Sequence, residues 1–256
     1  MIEKPDSALV ANLHPSPNIE PRNRGLKPSF LILHYTGLAT IERSLDVLSR
    51  PDCKVSCHYV IDTDGRIIQM VAEDMRAWHA GASFWAGEAD INSASIGIEI
   101  QNPGHQLGYP EFPDVQVRAV IALCKDIVSR NRIAPERVLA HSDIAPQRKV
   151  DPGEKFPWPS LQREGVGHWV APEPVDAGDI GFGIGSQAPI VAATQALLSH
   201  YGYGVSLSGV FDPALWFVLR GFQLHFRPAL TNSRLDRSTF FTLERLVAAL
   251  PPPAIV

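Results

Sequence analysis

Residues 141–153, HSDIAPQRKVDPG, crowd a histidine, carboxylates and cations into a run with little apolar filling. Pro146 and the Asp151-Pro152-Gly153 run forbid a continuous helix, because proline lacks an N–H and clashes with the preceding turn. This composition predicts a rigid loop that presents polar side chains, and such loops usually carry function. His141 and Asp151 are ten residues apart and meet only if the loop doubles back. His34 closes the apolar run SFLILH, where a side chain emerges at the edge of a sheet. Two imidazoles and one carboxylate can hold zinc and leave a fourth position for water, which is a catalytic rather than a structural pattern. The plainer alternatives are a strand-end His34 satisfied by hydrogen bonds and an Asp151 that closes a turn before Pro152. Spacing alone leaves both open, since a chain with nine histidines offers many such triples.

Glu99 sits in SIGIEI, on the face opposite Ile96, Ile98 and Ile100, and Gly97 leaves space beside it. A carboxylate facing a partly dry cleft can act as general base toward water at a metal. Lys149 lies between His141 and Asp151, where its charge could stabilise an oxyanion as a carbonyl is attacked. The bland versions are a solvated glutamate on the polar face of a sheet and an ordinary surface lysine.

The elements that must position these residues alternate between strands and helices. SFLILH (29–34) predicts a buried strand, and IERSLDVLSR a helix with Ile41, Leu45 and Leu48 on one face. HYVIDTDGRIIQMV predicts a β-hairpin turning at Asp64-Gly65. SIGIEI predicts a strand with unlike faces, Val117–Val128 a helix, and RVLAH (137–141) a short strand that delivers the loop. Strands with packed helices predict an α/β or α+β domain over residues 1–170. A Pro/Gly-rich linker follows over 171–187, and three helical patterns over 188–256 predict a small C-terminal domain, its second helix capped by Asp212-Pro213.

Composition excludes several classes. The apolar share of 45% supports a globular core, and the net charge of −4 argues against a nucleic-acid partner. No apolar run is long enough to span a membrane. No signal peptide is read at the start, which gives the cytoplasm as the expected compartment, with periplasm or cell envelope as the alternative if the start is trimmed. Cys53, Cys57 and Cys124 cannot build a disulfide framework and are expected as buried thiols.

Taken together, LILHYTG, SCHYVIDTDGRIIQMV, AWHAG, SIGIEI and AHSDIAPQRKVDPGEKFPW resemble, in order, the type 2 N-acetylmuramoyl-L-alanine amidases. That family is related in fold to T7-type lysozyme and the peptidoglycan recognition proteins, and the resemblance, over about residues 25–165, implies an α/β domain with a mixed central sheet flanked by helices. It implies zinc held by His34, His141 and Asp151, with Glu99 as catalytic acid/base and Lys149 as oxyanion stabiliser. It implies a substrate cleft that involves Trp78, His79 and Ala145, although a structural role serves His79 equally well. Asp143 and His79 are not ligands in the family, and His58 reads as structural. The implied reaction cuts the amide between the lactyl group of N-acetylmuramic acid and L-alanine in peptidoglycan or muropeptides. A peptidoglycan-binding or sensing protein with an inert metal site is the rival, disfavoured by the intact five residues. A zinc peptidase is disfavoured because HExxH is absent. The C-terminal part resembles a three-helix peptidoglycan-binding module through VAATQALLSHYGYGVSLSGVFD and LRGFQLHF. No protein partner is evident.

Overall fold

The computed structural model describes residues 2–251. Its strands are β1 (Asn12–Leu13), β2 (Ile19–Pro21), β3 (Phe30–Tyr35), β4 (Tyr59–Ile61), β5 (Ile67–Gln69), β6 (Met75–Ala77), β7 (Ser95–Ile100) and β8 (Val138–Ala140). Its helices are α1 (Ile41–Ser49), α2 (Ile91–Ala94), α3 (Asp114–Asn131), α4 (His141–Ile144), α5 (Trp158–Arg163), α6 (Pro189–Tyr201), α7 (Pro213–Phe226) and α8 (Arg237–Ala248). A six-stranded sheet runs β1-β5-β4-β7-β3-β8, and β2 pairs with β6 separately. Neighbours from β4 to β8 are parallel, whereas β4 and β5 form the antiparallel hairpin expected from the sequence. The sheet is therefore mixed and flanked by helices, as predicted.

Alternation along β3 divides its side chains between two cores. Leu31 and Leu33 join Ile96, Ile98 and Ile100 under α3 and α5, where Leu123, Cys124, Ile127, Trp158 and Leu161 close the layer. Phe30 and Ile32 face the other way, into one apolar cluster with Val191, Leu198, Phe211, Leu219, Phe222 and Leu243 of the C-terminal part. The sequence predicts those helices as a distinct unit, and in the structure α6, α7 and α8 share this cluster with Phe30 and Ile32 of β3 and Leu139 of β8. Their caps follow the predicted chemistry at α7, where the Asp212 carboxylate accepts from Leu215 N at 2.7 Å. At α8 the cap is Asp236, whose carboxylate accepts from Thr239 N at 2.7 Å. Gln195 and Gln223 turn inward. Their amides donate to Val210 O and Arg234 O at 2.9 Å each and accept from Gly209 N and Ser233 N, holding the two interhelical loops. Cys57 and Cys124 are buried thiols as expected, while Cys53 is half-buried.

Candidate metal centre and active site

Register brings the chemistry together. His34 and Glu99 are partners across β3 and β7, and Leu33 pairs with Ala140 of β8. His141, next after Ala140, therefore arrives beside His34. Sites outside the carboxyl ends of parallel strands are the general rule in α/β sheets. The loop does double back: Ser142 N donates to Asp151 O at 3.0 Å, which brings the Asp151 side chain to both imidazoles. One detail differs from the sequence reading. His141–Ile144 winds one helical turn, α4, before Pro146 stops it, with Ala140 N donating to the Asp143 carboxylate at 2.8 Å.

His34 Nδ1 lies 2.8 Å from His141 Nδ1 and 3.2 Å from Asp151 Oδ2, and His141 Nδ1 lies 2.9 Å from the same oxygen. All three residues are buried. His141 Nε2 is 3.2 Å from Ala80 O, which can only accept, so Nδ1 carries the ring's lone pair. Two lone pairs and a carboxylate converging in a dry site are poor company for one another and a good donor set for a divalent cation such as zinc. These three are the metal-capable group among the described residues.

Electrostatics follow from burial. Desolvation, with His141 second, lowers His34 to about 4. Burial and then Asp151 push Glu99 well above an ordinary carboxylate, against the pull of Lys149. Glu99 Oε2 is buried without a hydrogen-bond partner. It lines a cleft of about 410 Å³ together with Tyr35, His105, His141, Lys149 and Asp151.

The other expected site residues scatter. His79 borders the cleft, but it is buried behind His34. Ala145 lines a separate hollow of about 290 Å³ with Phe84, Arg148 and Gly204. Trp78 is half-buried and is tied through its backbone to Ser56, without lining the cleft. Asp143 turns away from the metal group toward Tyr203 and His225. His58 is buried, accepting from Gly97 N at 3.0 Å, in keeping with its structural reading. Sequence reasoning passed over His105, whose Nδ1 meets Tyr35 Oη at 3.0 Å and whose Nε2 meets Glu154 at the cleft rim. Nothing in its local pattern, PGHQLG, sets it apart from a loop histidine.

A two-histidine, one-aspartate cluster at the carboxyl ends of parallel strands, with a half-buried glutamate beside it, is an arrangement suited to hydrolysis at a metal site. The family model for N-acetylmuramoyl-L-alanine amidases matches residues 24–154, and the chain belongs to that family. It is 39% identical over 233 residues to the N-acetylmuramoyl-L-alanine amidase AmiD of Escherichia coli, covering 85% of this chain and 81% of that protein. To the 1,6-anhydro-N-acetylmuramyl-L-alanine amidase AmpD of Salmonella typhimurium it is 33% identical over 165 residues, covering 58% of this chain and 86% of AmpD. The structure of AmiD in complex with anhydro-N-acetylmuramic acid-L-Ala-D-γ-Glu-L-Lys superposes with a TM-score of 0.73 at 36% identity, over 90% of this chain and 92% of that one. AmpDh3 of Pseudomonas aeruginosa gives the same TM-score at 30% identity, over 91% and 96% of the two chains. No helix among the described residues is long and apolar enough to cross a membrane.

Proposed function

We propose that His34, His141 and Asp151 hold one zinc ion, and that Glu99 and Lys149 carry the proton and charge work of hydrolysing the amide between N-acetylmuramic acid and L-alanine. The convergence of two imidazole lone pairs and a carboxylate beside an unpartnered, buried Glu99 oxygen carries this assignment. When bound, zinc supplies Lewis acidity that makes water acidic near pH ~7 and polarises a carbonyl. Glu99, whose Oε2 has no hydrogen-bond partner, takes the proton from the attacking water and returns it to the departing amine of L-alanine. Lys149, whose charge already acts on Glu99 and His34, stabilises the oxyanion of the tetrahedral intermediate.

For the substrate, the AmiD complex named above suggests a muropeptide of the anhydro-N-acetylmuramoyl class. Incubating the full chain with zinc and that muropeptide should release a peptide beginning at L-alanine, identified by mass spectrometry. Binding without release, by folded and zinc-loaded protein, would favour the binding or sensing reading instead. Residues 1–170 are read as the amidase unit, 171–187 as the connection and 188–256 as a peptidoglycan-binding unit, tested by sedimentation with insoluble peptidoglycan. The cytoplasm is the compartment put forward, tested by fractionating cells of the native host.

A further inference from the structure

His79 sits directly behind His34. It is 6% exposed and both its ring nitrogens are engaged, Nδ1 at 3.0 Å from His34 Nε2 and Nε2 at 3.1 Å from Ser95 Oγ. The direction of each bond can be worked out from the far end. The Ser95 hydroxyl has one proton, and it lies 2.6 Å from Ile91 O, which can only accept. Ser95 Oγ therefore accepts from His79 Nε2–H. A neutral imidazole has one N–H, so His79 Nδ1 is bare and accepts from His34 Nε2–H. That leaves His34 Nδ1 with its lone pair facing His141 Nδ1 and Asp151 Oδ2. Every donor in the chain points away from the cleft, and the last lone pair points into it.

Two further features hold the ring in place. A Cβ at residue 97 would fall 2.5 Å from the His79 ring, so the glycine in the middle of β7 is the opening into which the imidazole fits. Asn92 Oδ1 accepts from His79 N at 3.0 Å and from Ala80 N at 2.8 Å, fixing the backbone whose Ala80 carbonyl receives His141 Nε2–H. One short segment thus orients both imidazoles.

We propose, on the assignment of His34 as a zinc ligand, that His79 is a positioning residue of the metal site and that Ser95 sets its tautomer. A partner behind a ligating histidine fixes ring orientation, and its loss typically weakens metal binding ~10- to 100-fold. The test uses the full chain and zinc alone, with the dissociation constant read by competition against a chromophoric chelator. His79→Leu is expected to weaken zinc by that factor. His79→Asn, which keeps an oxygen near the position of Nδ1, is expected to restore most of the loss, a rescue that a purely space-filling role would not give. Zinc affinity equal to wild type in folded His79→Leu, with a raised KM on muropeptide, would overturn the proposal in favour of a substrate contact. If that variant fails to fold, ¹⁵N NMR of the metal-free wild type decides: an Nε2–H tautomer at His34 supports the chain of donors, and Nδ1–H overturns it. His34→Ala, measured alongside, separates the two layers. Zinc retained there overturns the ligand assignment itself, whereas zinc lost there and unchanged in His79→Leu overturns only the role of His79.

Discussion

Asp143 Oδ2 accepts from His225 Nδ1–H at 2.7 Å, across 82 residues of chain. Asp143 is 1% exposed and also takes the Tyr203 hydroxyl at 2.6 Å and Ala140 N at 2.8 Å. Those bonds bracket His141, the residue between Ala140 and the rest of α4. The His225 ring is itself stacked on Trp158 of α5, with centroids 3.7 Å apart. The C-terminal helices thereby grip the turn that presents a candidate metal ligand.

Tyr203→Phe tests this grip with little change of shape. It removes one donor from a buried carboxylate, and hydrogen bonds to charged groups are worth about 1.5–3 kcal/mol. A fall in unfolding free energy of that order is expected, with zinc retained. An unchanged midpoint would show that water or His225 replaces the hydroxyl.

The metal assignment predicts different failures at two positions. His141→Ala should lose both zinc and turnover, because a fixed lone pair is removed. A full equivalent of zinc by elemental analysis of that variant would refute its place as a ligand. Glu99→Ala should keep the metal and lose ~10²- to 10⁴-fold in turnover, the usual worth of general acid–base help. Near-normal turnover in the zinc-loaded variant would remove Glu99 from the mechanism.

Much of this was legible along the chain, and the reasons differ by element. β3 and β7 announced themselves because six-residue strands between two apolar layers leave an unmistakable run of isoleucine and leucine. The hairpin did so through Asp64-Gly65, with Gly65 at φ 85°. Strands β1, β2 and β6 are two or three residues long, too short for any periodicity to register. The two histidines and Asp151 were visible as types, but their convergence depends on strand register. The grip of His225 and Tyr203 on Asp143 was out of reach, since neither sits in a pattern distinct from helix packing. AWHAG leaves a substrate-cleft and a structural role for His79 equally open, because one-dimensional spacing does not say which side of His34 it occupies.

Acid stability should depend on Glu73. Its buried carboxylate accepts from Arg130 at 2.7 and 2.8 Å, from Tyr59 at 2.7 Å and from Asn131 at 3.0 Å. Burial favours the protonated form, but the bonds from Arg130, Tyr59 and Asn131 outweigh it and hold the group below its ordinary value. A depressed folded pKa contributes stability that is present above the unfolded pKa, about 4.3, and is lost as pH falls through the folded one. Glu73→Gln is therefore expected to be less stable than wild type at neutral pH, with the gap narrowing below pH ~4. A gap independent of pH would mean that the loss is packing rather than charge.

A chain ended near Pro174 should not behave as a free catalytic unit. Trp85 is 1% exposed and rests against Tyr203 at 4.6 Å between ring centroids, and Phe30, Ile32 and Ile144 belong to the same cluster as α7. Removing α6, α7 and α8 bares that surface, and exposed apolar patches of this kind drive association. Aggregation or strong binding of a hydrophobic dye is expected. A soluble monomer that melts like the whole chain and cleaves muropeptide equally fast would restore the view of the helices as a simple tether.

Gly221 offers the sharpest test of how closely the two parts are fitted. It lies inside α7, where exchanging glycine for alanine ordinarily stabilises a helix by about 1 kcal/mol. Here a Cβ would stand 2.5 Å from Ser142 O and 3.4 Å from Pro146 Cβ, on the very loop that carries His141 and Asp151. Ser142 O is backbone and cannot swing aside, so Gly221→Ala must push α7 away from α4. The neighbouring contacts would move with it, including Arg220 to Pro146 O at 2.9 Å and His225 to Asp143. The expected result is a net loss of stability despite the gain in helix propensity, accompanied by weaker zinc retention. Gly221→Ala at wild-type stability would show that the interface yields without disturbing the metal loop, and that the C-terminal helices shield the sheet without positioning its chemistry.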